Sequence, residues 1–149
     1  MGMFEVSGFG RPVKLLVGGL HGNEGKTTAK ILQELSGVKV EKGRVVLCNL
    51  SKKSKYVSTL NPVYYDTGEG KGLLSVIRRF KPEIYIELHS YISRNCEKLT
   101  DPVRRLKAGV PPFIELENGI LLGSVSPNLR TQEFARNDFC LSVWRFHPI

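Results

Sequence analysis

Three short apolar runs, separated by segments of helical periodicity, constrain the fold of this chain more than any other feature. Residues 13–17, 44–50 and 83–88 are largely apolar and bounded by turn signals, as in strands buried on both faces. Between them, residues 25–35 and 71–80 place apolar side chains three and four positions apart, which is typical of amphipathic helices. This alternation predicts a three-layer α/β domain with a mostly parallel sheet.

The rest of the chain predicts a loop, a hairpin, a short helix and a last strand. Residues 51–70 are polar and turn-rich, and a loop of that length in a compact domain is usually functional or disordered. Residues 112–125 are expected to form a hairpin in which Asn118-Gly119 is a two-residue type I′ turn. We expect a short helix at 129–137 and a strand at 139–146.

Length and composition place the chain among ordinary globular proteins. Its 149 residues predict one domain, residues 1–149, with a real core, and no segment approaches the ~20 apolar residues of a membrane span. We find no signal peptide. The three cysteines, Cys48, Cys96 and Cys140, are widely spaced, which argues against a disulfide framework or a cysteine zinc site and favours a cytoplasmic location.

The chain is basic, with a formal net charge of +8. Such a charge suits nucleic acid or an anionic substrate, and it also promotes solubility. Lysine and arginine are scattered, however, and only Lys52, Lys53, Lys55 and the pair Arg78-Arg79 cluster. Aromatic residues do not interleave with these clusters as they do on a base-stacking platform. Nucleic acid is therefore the less favoured partner, and the sequence does not indicate an oligomeric state.

Metal-ligating residue types follow two of the predicted strands. His21 and Glu24 come directly after the run at 13–17, and His89 comes directly after the run at 83–88. In open α/β sheets, ligands bind at this carboxyl edge of the strands. Two imidazoles and one carboxylate form the His₂Glu set of catalytic zinc sites, which leave a fourth position open. The sequence therefore predicts a Zn²⁺ site at His21, Glu24 and His89.

Two other interpretations use the same residues. In a purely structural one, His21 lies in a loop, Glu24 is favoured by the helix dipole, and His89 is a satisfied strand-end histidine. Two of the chain's three histidines at matching strand ends favour metal over this interpretation. The other is a phosphate loop ending in Gly25-Lys26-Thr27-Thr28, but that motif requires glycine at position 20, where the chain has Leu20.

The two ligand motifs resemble those of the metallocarboxypeptidase superfamily, especially its aspartoacylase and succinylglutamate desuccinylase branch. Residues 18–24, Gly-Gly-Leu-His-Gly-Asn-Glu, are similar to that branch's Gly-Gly-x-His-Gly-Asn-Glu, and residues 86–89, Ile-Glu-Leu-His, are similar to its Asp-Leu-His. The chain also looks like a member of a small, uncharacterised archaeal family related to that branch. The resemblance covers residues 13–90 and implies a zinc-carboxypeptidase-like fold.

The resemblance also implies an activity and two substrate-binding residues. The activity is zinc-dependent hydrolysis of an amide bond in a small N-acyl amino acid or a peptide. Asn61 matches an asparagine of the branch's Asp-Leu-Asn-Arg motif, although Pro62 replaces the arginine, and Lys55 stands in for an upstream arginine. A solvated loop charge is the alternative for Lys55.

A catalytic glutamate is harder to place. Glu115 has the local sequence of the branch's general base, but it follows His89 too closely, and an exposed hairpin carboxylate is the alternative. The expected spacing falls near Trp144, where no acidic residue occurs. We therefore expect a frame-shifted or truncated form that lacks its C-terminal part.

Three functions follow from these observations. The first is the zinc hydrolase, the second is a metal-binding module that is catalytically impaired, and the third is a basic nucleic-acid-binding protein. For the first two functions, we expect a small-molecule or peptide substrate or ligand and no interaction with a membrane.

Overall fold

The computed structural model describes residues 3–147, which form one α/β domain around a seven-stranded sheet. The strands are β1 Met3–Gly8, β2 Val13–Gly18, β3 Arg44–Asn49, β4 Ile84–Tyr91, β5 Ile114–Glu115, β6 Leu121–Gly123 and β7 Phe139–Phe146. The helices are α1 Gly25–Leu35, α2 Gly68–Phe80, α3 Ser93–Thr100, α4 Arg104–Ala108 and α5 Pro127–Glu133, with 3₁₀ helices at Pro62–Asp66 and Glu117–Gly119. The α/β prediction is confirmed.

The sheet is mixed rather than mostly parallel. Its strand order is β1-β3-β2-β4-β7-β6-β5, and the central strands β3, β2, β4 and β7 are parallel to one another. The pairs β1–β3, β7–β6 and β6–β5 are antiparallel. The β5–β6 pair is the predicted hairpin, but a 3₁₀ turn at Glu117–Gly119 connects its strands instead of the predicted two-residue turn at Asn118-Gly119. So short a connection forces an antiparallel arrangement. The apolar runs thus predict the parallel centre of the sheet, and the short outer strands make it mixed.

Helices cover both faces of the sheet. On β2, Leu15 and Val17 point toward one face and pack with Leu73 of α2, whereas Leu16 points toward the other face and packs with Leu32 of α1. Each fully buried leucine contributes about 1.5–3 kcal/mol through removal of apolar surface from water. Helices α1 and α2 thus anchor the two outer layers.

Several element boundaries differ from the predictions. Helix α2 begins at Gly68 rather than at residue 71, because the Thr67 hydroxyl caps it by accepting a hydrogen bond from the Gly70 N–H (3.0 Å). Strand β4 continues to Tyr91, so His89 lies inside the strand, two residues before its end, rather than after it. Within residues 3–147, no helix is long and apolar enough to cross a bilayer.

Candidate metal centre

The loop between β2 and α1 carries two of the three ligands, and close backbone packing fixes its path. Gly19 has a φ of +66°, and a Cβ atom there would lie 2.3 Å from the Ser51 carbonyl oxygen. A Cβ atom on Gly25, the first residue of α1, would lie 1.7 Å from the same oxygen. Only glycine permits this approach. The loop therefore lies flat against the segment that follows β3, at the carboxyl edge of the parallel strands.

A buried hydrogen-bond network holds this loop to α1 and β3. The Thr28 hydroxyl oxygen accepts from the Gly19 N–H (3.0 Å) and its proton is directed at Asn49 Oδ1 (2.8 Å). Asn49 Nδ2 donates in turn to the Gly25 carbonyl (3.0 Å). Thr28 and Asn49 are both fully buried, so each broken bond would leave an unsatisfied polar group in the core.

His21, Glu24 and His89 form one buried cluster. A ligand-type atom from each residue lies within 4.8 Å of the other two. His89 Nδ1 is 3.0 Å from Glu24 Oε1 and 3.2 Å from Oε2, and His21 Nδ1 is 3.6 Å from Oε1. The three residues are only 1–7% exposed. The structure therefore brings together all three residues that the sequence predicts as metal ligands.

Glu87 supports the cluster from behind. Along β4, Tyr85, Glu87 and His89 point to the same face because side chains alternate in a strand. His89 Nε2 lies 3.2 Å from Glu87 Oε1, and the Tyr85 hydroxyl donates to Glu87 Oε2 (3.1 Å). Metal-ligating histidines usually direct their second ring nitrogen at such a carboxylate. In the sequence, Glu87 stands out only as part of a motif, although its position two residues before His89 indicates that it supports this histidine.

The two histidines differ in their electrostatic environment. For His21, burial outweighs the attraction of Glu24 and lowers the pKa below its ordinary value. For His89, burial acts in the same direction, but contacts with Glu24 and Glu87 outweigh it and raise the pKa to about 10. In the metal-free protein, His89 is therefore the imidazolium that compensates the two buried carboxylates.

Aromatic side chains wall the cluster. Trp144 of β7 lies opposite His89 in the β4–β7 register, and its ring stacks on the imidazole at 4.2 Å with an interplanar angle of 16°. The Trp144 Nε1–H donates to Ser142 Oγ (2.8 Å), which fixes the indole. Tyr56 meets the edge of His21 at 4.5 Å. Neither contact could be predicted from the sequence, because Trp144 and Tyr56 lie far from the ligands they touch along the chain.

A cleft of 560 Å³ opens beside the cluster. His21, Glu24, Tyr56 and Trp144 line it, and the remaining lining residues include Asn23, Asn95, Lys98 and His147. Glu24 is the only carboxylate among the described residues that line this cleft. A small molecule can thus reach the cluster, but it would meet no second acidic group there.

The structure does not bring Lys55, Asn61 or Glu115 to the cluster. Lys55 is exposed in the segment after β3 and lies outside the cleft lining. Asn61 is also exposed, and its side chain caps the first 3₁₀ helix by accepting from the Val63 N–H (3.0 Å). These placements give Asn61 a structural role and favour the alternative of a solvated charge for Lys55.

Glu115 lies in the same cross-strand row as His89, but Trp144 and Leu121 stand between them. Three strand spacings of about 4.8 Å put Glu115 roughly 14 Å away from the histidine strand. Its side chain is exposed on the hairpin. At the place where the sequence leads us to expect a catalytic base, the structure has the indole of Trp144.

The chain belongs to the archaeal family described as "Uncharacterized protein conserved in archaea (DUF2119)", which matches residues 9–144. An uncharacterized protein of Methanocaldococcus jannaschii is 41% identical over 157 aligned positions, which cover all of this chain and 75% of that relative.

This family membership corrects the assignment made from the motifs. The matching family is not a metallocarboxypeptidase family, so the placement of the chain in that superfamily, as an aspartoacylase relative, is wrong. The labels hydrolase and metallocarboxypeptidase-like consequently have no support from family membership. The two motifs span only 11 residues, 18–24 and 86–89. Glycine turns and ligand residues at strand ends are what any metal site at this edge of a sheet requires.

Proposed function

We propose that this protein binds Zn²⁺ through His21, Glu24 and His89. The observation that carries the proposal is the convergence of three buried ligand-type groups, from two distant segments, within 4.8 Å of one another; two of them, His21 and Glu24, also line a cleft. A histidine pair with one carboxylate suits zinc better than the harder ions Mg²⁺ and Ca²⁺, which prefer oxygen ligands alone. The Glu87 carboxylate behind His89 completes the usual surroundings of a zinc-binding histidine.

The chain's own residues prepare this site. Trp144 fixes the plane of the His89 ring through stacking, and Glu87 faces its Nε2 at 3.2 Å. The backbone N–H of His21 donates to Glu24 Oε1 (3.4 Å) and helps orient that carboxylate. When bound, zinc would supply Lewis acidity and would lower the pKa of a water molecule in the open position.

A second candidate function is hydrolysis of an amide bond in a small N-acyl amino acid or a peptide. The cleft favours it, since 560 Å³ lies within the range of small-molecule sites, roughly 300–1,000 Å³. Among the described lining residues, Glu24 is the only carboxylate and His147 the only imidazole outside the metal cluster, and general base catalysis typically contributes about 10²–10⁴ in rate. A metal-binding module with little or no turnover is the competing proposal.

Metal analysis of purified protein tests zinc binding. We expect one equivalent of zinc per chain, measured by mass spectrometry of the metal, and loss of that zinc in His21→Ala and His89→Ala. His147→Ala is the matched control, because His147 lines the same cleft but lies outside the cluster. Full zinc content in the two ligand variants would overturn the proposal.

Turnover then separates the two candidate functions. The zinc-loaded chain is incubated with a panel of N-acetyl amino acids and dipeptides, and amine release is followed against His89→Ala. Release that depends on His89 supports hydrolysis. Zinc binding without release across the panel favours the module.

A further inference from the structure

A second, smaller cavity lies behind the metal cluster. It encloses 60 Å³ and shares His21, Tyr56, Leu99 and Trp144 with the cleft. We call it the inner chamber. Its other walls come from five separate segments, which contribute among others Glu87, Arg104, Ser126 and Ser142. This volume has room for a few water molecules or one small oxyanion.

Arg104 is a charge without a counter-ion in this chamber. The guanidinium is partly buried; it stacks 4.4 Å from the Phe113 ring, and its Nη1 donates to the Pro111 carbonyl (2.8 Å). Within residues 3–147 it forms no ion pair, because the nearby Asp101 pairs with Lys107 instead. Burial lowers the pKa of Arg104, but an arginine still remains charged at neutral pH. A partly buried cation of this kind usually has an anionic partner.

Two buried hydroxyl groups in the chamber have donor capacity to spare. Ser142 Oγ accepts from Trp144 Nε1, which leaves its own O–H to donate. Ser126 Oγ is buried and forms no hydrogen bond of ordinary geometry within the described residues. The Tyr65 hydroxyl beside it donates to the Thr59 carbonyl (3.1 Å). An oxyanion would satisfy both serines and the free N–H groups of Arg104.

Glu87 is the one carboxylate among the described residues that line the chamber, and its two oxygens are already engaged. One lies against His89 Nε2, and the other accepts from the Tyr85 hydroxyl. Glu87 is therefore directed at the metal cluster, and it forms no ion pair with Arg104.

We propose that the inner chamber binds a carboxylate-sized oxyanion through Arg104, Ser126 and Ser142. The role of the chamber as a subsite for an anionic group of the substrate rests on the proposed function. Its ability to bind an anion does not.

Titration of the metal-free protein with sodium acetate at constant ionic strength tests this proposal. Trp144 is the only tryptophan and lines the chamber, so its fluorescence reports binding. We expect a saturable change in the wild type and an apparent Kd at least tenfold higher in Arg104→Met. Arg104→Lys should fall between the two, because lysine keeps the charge but lacks the planar fork.

Arg105→Met is the matched control, because Arg105 is exposed on the same short helix and lines neither cavity. It should bind acetate like the wild type. Equal acetate affinity in Arg104→Met and the wild type would overturn the proposal. A repeat with zinc separates the two proposals: a wild type that binds acetate but no zinc contradicts the proposed function and leaves the anion site intact.

Discussion

Glu87 Oε1 lies 3.2 Å from His89 Nε2, on the side of the imidazole ring opposite Glu24. The ring therefore stands between two buried carboxylates, one on each nitrogen. Alternation along β4 alone produces the inner contact, since residues two apart share a face. Because His89 cannot rotate without losing one of these contacts, its Nδ1 stays directed at the place where the other ligands meet.

Glu87→Gln should weaken zinc binding by about 10- to 100-fold, the usual cost of losing the carboxylate behind a ligating histidine. The amide keeps the shape of the side chain but removes the charge that favours a basic Nδ1. Competition with a chelating dye measures the zinc affinity. Glu97→Gln, on the exposed surface of α3, is the control and should bind zinc like the wild type. An unchanged affinity in Glu87→Gln would show that Glu87 does not support the metal.

Zinc binding should release about one proton between pH 7 and 9. In the metal-free protein, Glu24 and Glu87 raise the pKa of His89 from its ordinary value of 6.5 to about 10, so its Nδ1 must lose a proton before it can bind metal. Zinc affinity should therefore rise with pH up to about 10. Calorimetry in two buffers of different ionisation enthalpy measures the released proton. Identical heats in both buffers at pH 8 would contradict the protonated state of His89.

The same shift affects the metal-free fold. A histidine whose pKa is higher in the folded state stabilises that state fully below pH 6.5, and this contribution is lost as the pH rises through about 10. The urea midpoint of the metal-free protein should therefore fall between pH 7 and 10. His89→Gln should lack this part of the pH dependence.

The sequence predicts the centre of this molecule better than its periphery. Strands β2, β3 and β4 are apolar runs that need no knowledge of their neighbours, and the apolar spacing predicts α1 with its observed bounds. Strand β1 is an edge strand in which Phe4 and Val6 are 39% and 42% exposed, so its pattern is weak. Helices α3 and α4 contain no fully buried residue, and α3 packs against the core only through the half-buried Cys96 and Leu99.

The ligands could be predicted because strand ends of a parallel sheet meet at one edge. The surroundings of the ligands could not be predicted. Trp144 reaches His89 only because β7 pairs with β4, and Arg104 reaches the chamber from α4, which lies between these two strands in sequence. A single sequence does not reveal strand order. Short ligand motifs consequently locate the metal site but do not identify the family.

Gly25→Ala should destabilise the fold by at least about 2–3 kcal/mol, as overpacking of a rigid contact does. The added methyl group would lie 1.7 Å from the Ser51 carbonyl, which is backbone and cannot turn away as a side chain could. Urea denaturation measures the loss. Gly68→Ala is the control, since Gly68 also begins a helix and has open space around it. Equal stability of the two variants would contradict the close packing of the loop that carries His21 and Glu24.

Thr28→Val should cost about 1–3 kcal/mol of stability and should also weaken zinc binding. Valine has nearly the same shape but lacks the hydroxyl, so the buried Gly19 N–H loses its acceptor and Asn49 Oδ1 loses a donor. Because this network holds the loop between β2 and α1, the two ligands on that loop should become less well placed. Thr28→Ser keeps the hydroxyl and should retain most of the zinc affinity, and Thr27→Val tests the same change one residue away, on the cleft lining. Urea denaturation and dye competition on the same preparations report stability and metal binding. If Thr28→Val lowers stability but leaves zinc affinity at the wild-type value, the network supports the core alone and His21 and Glu24 are positioned by the glycine contacts.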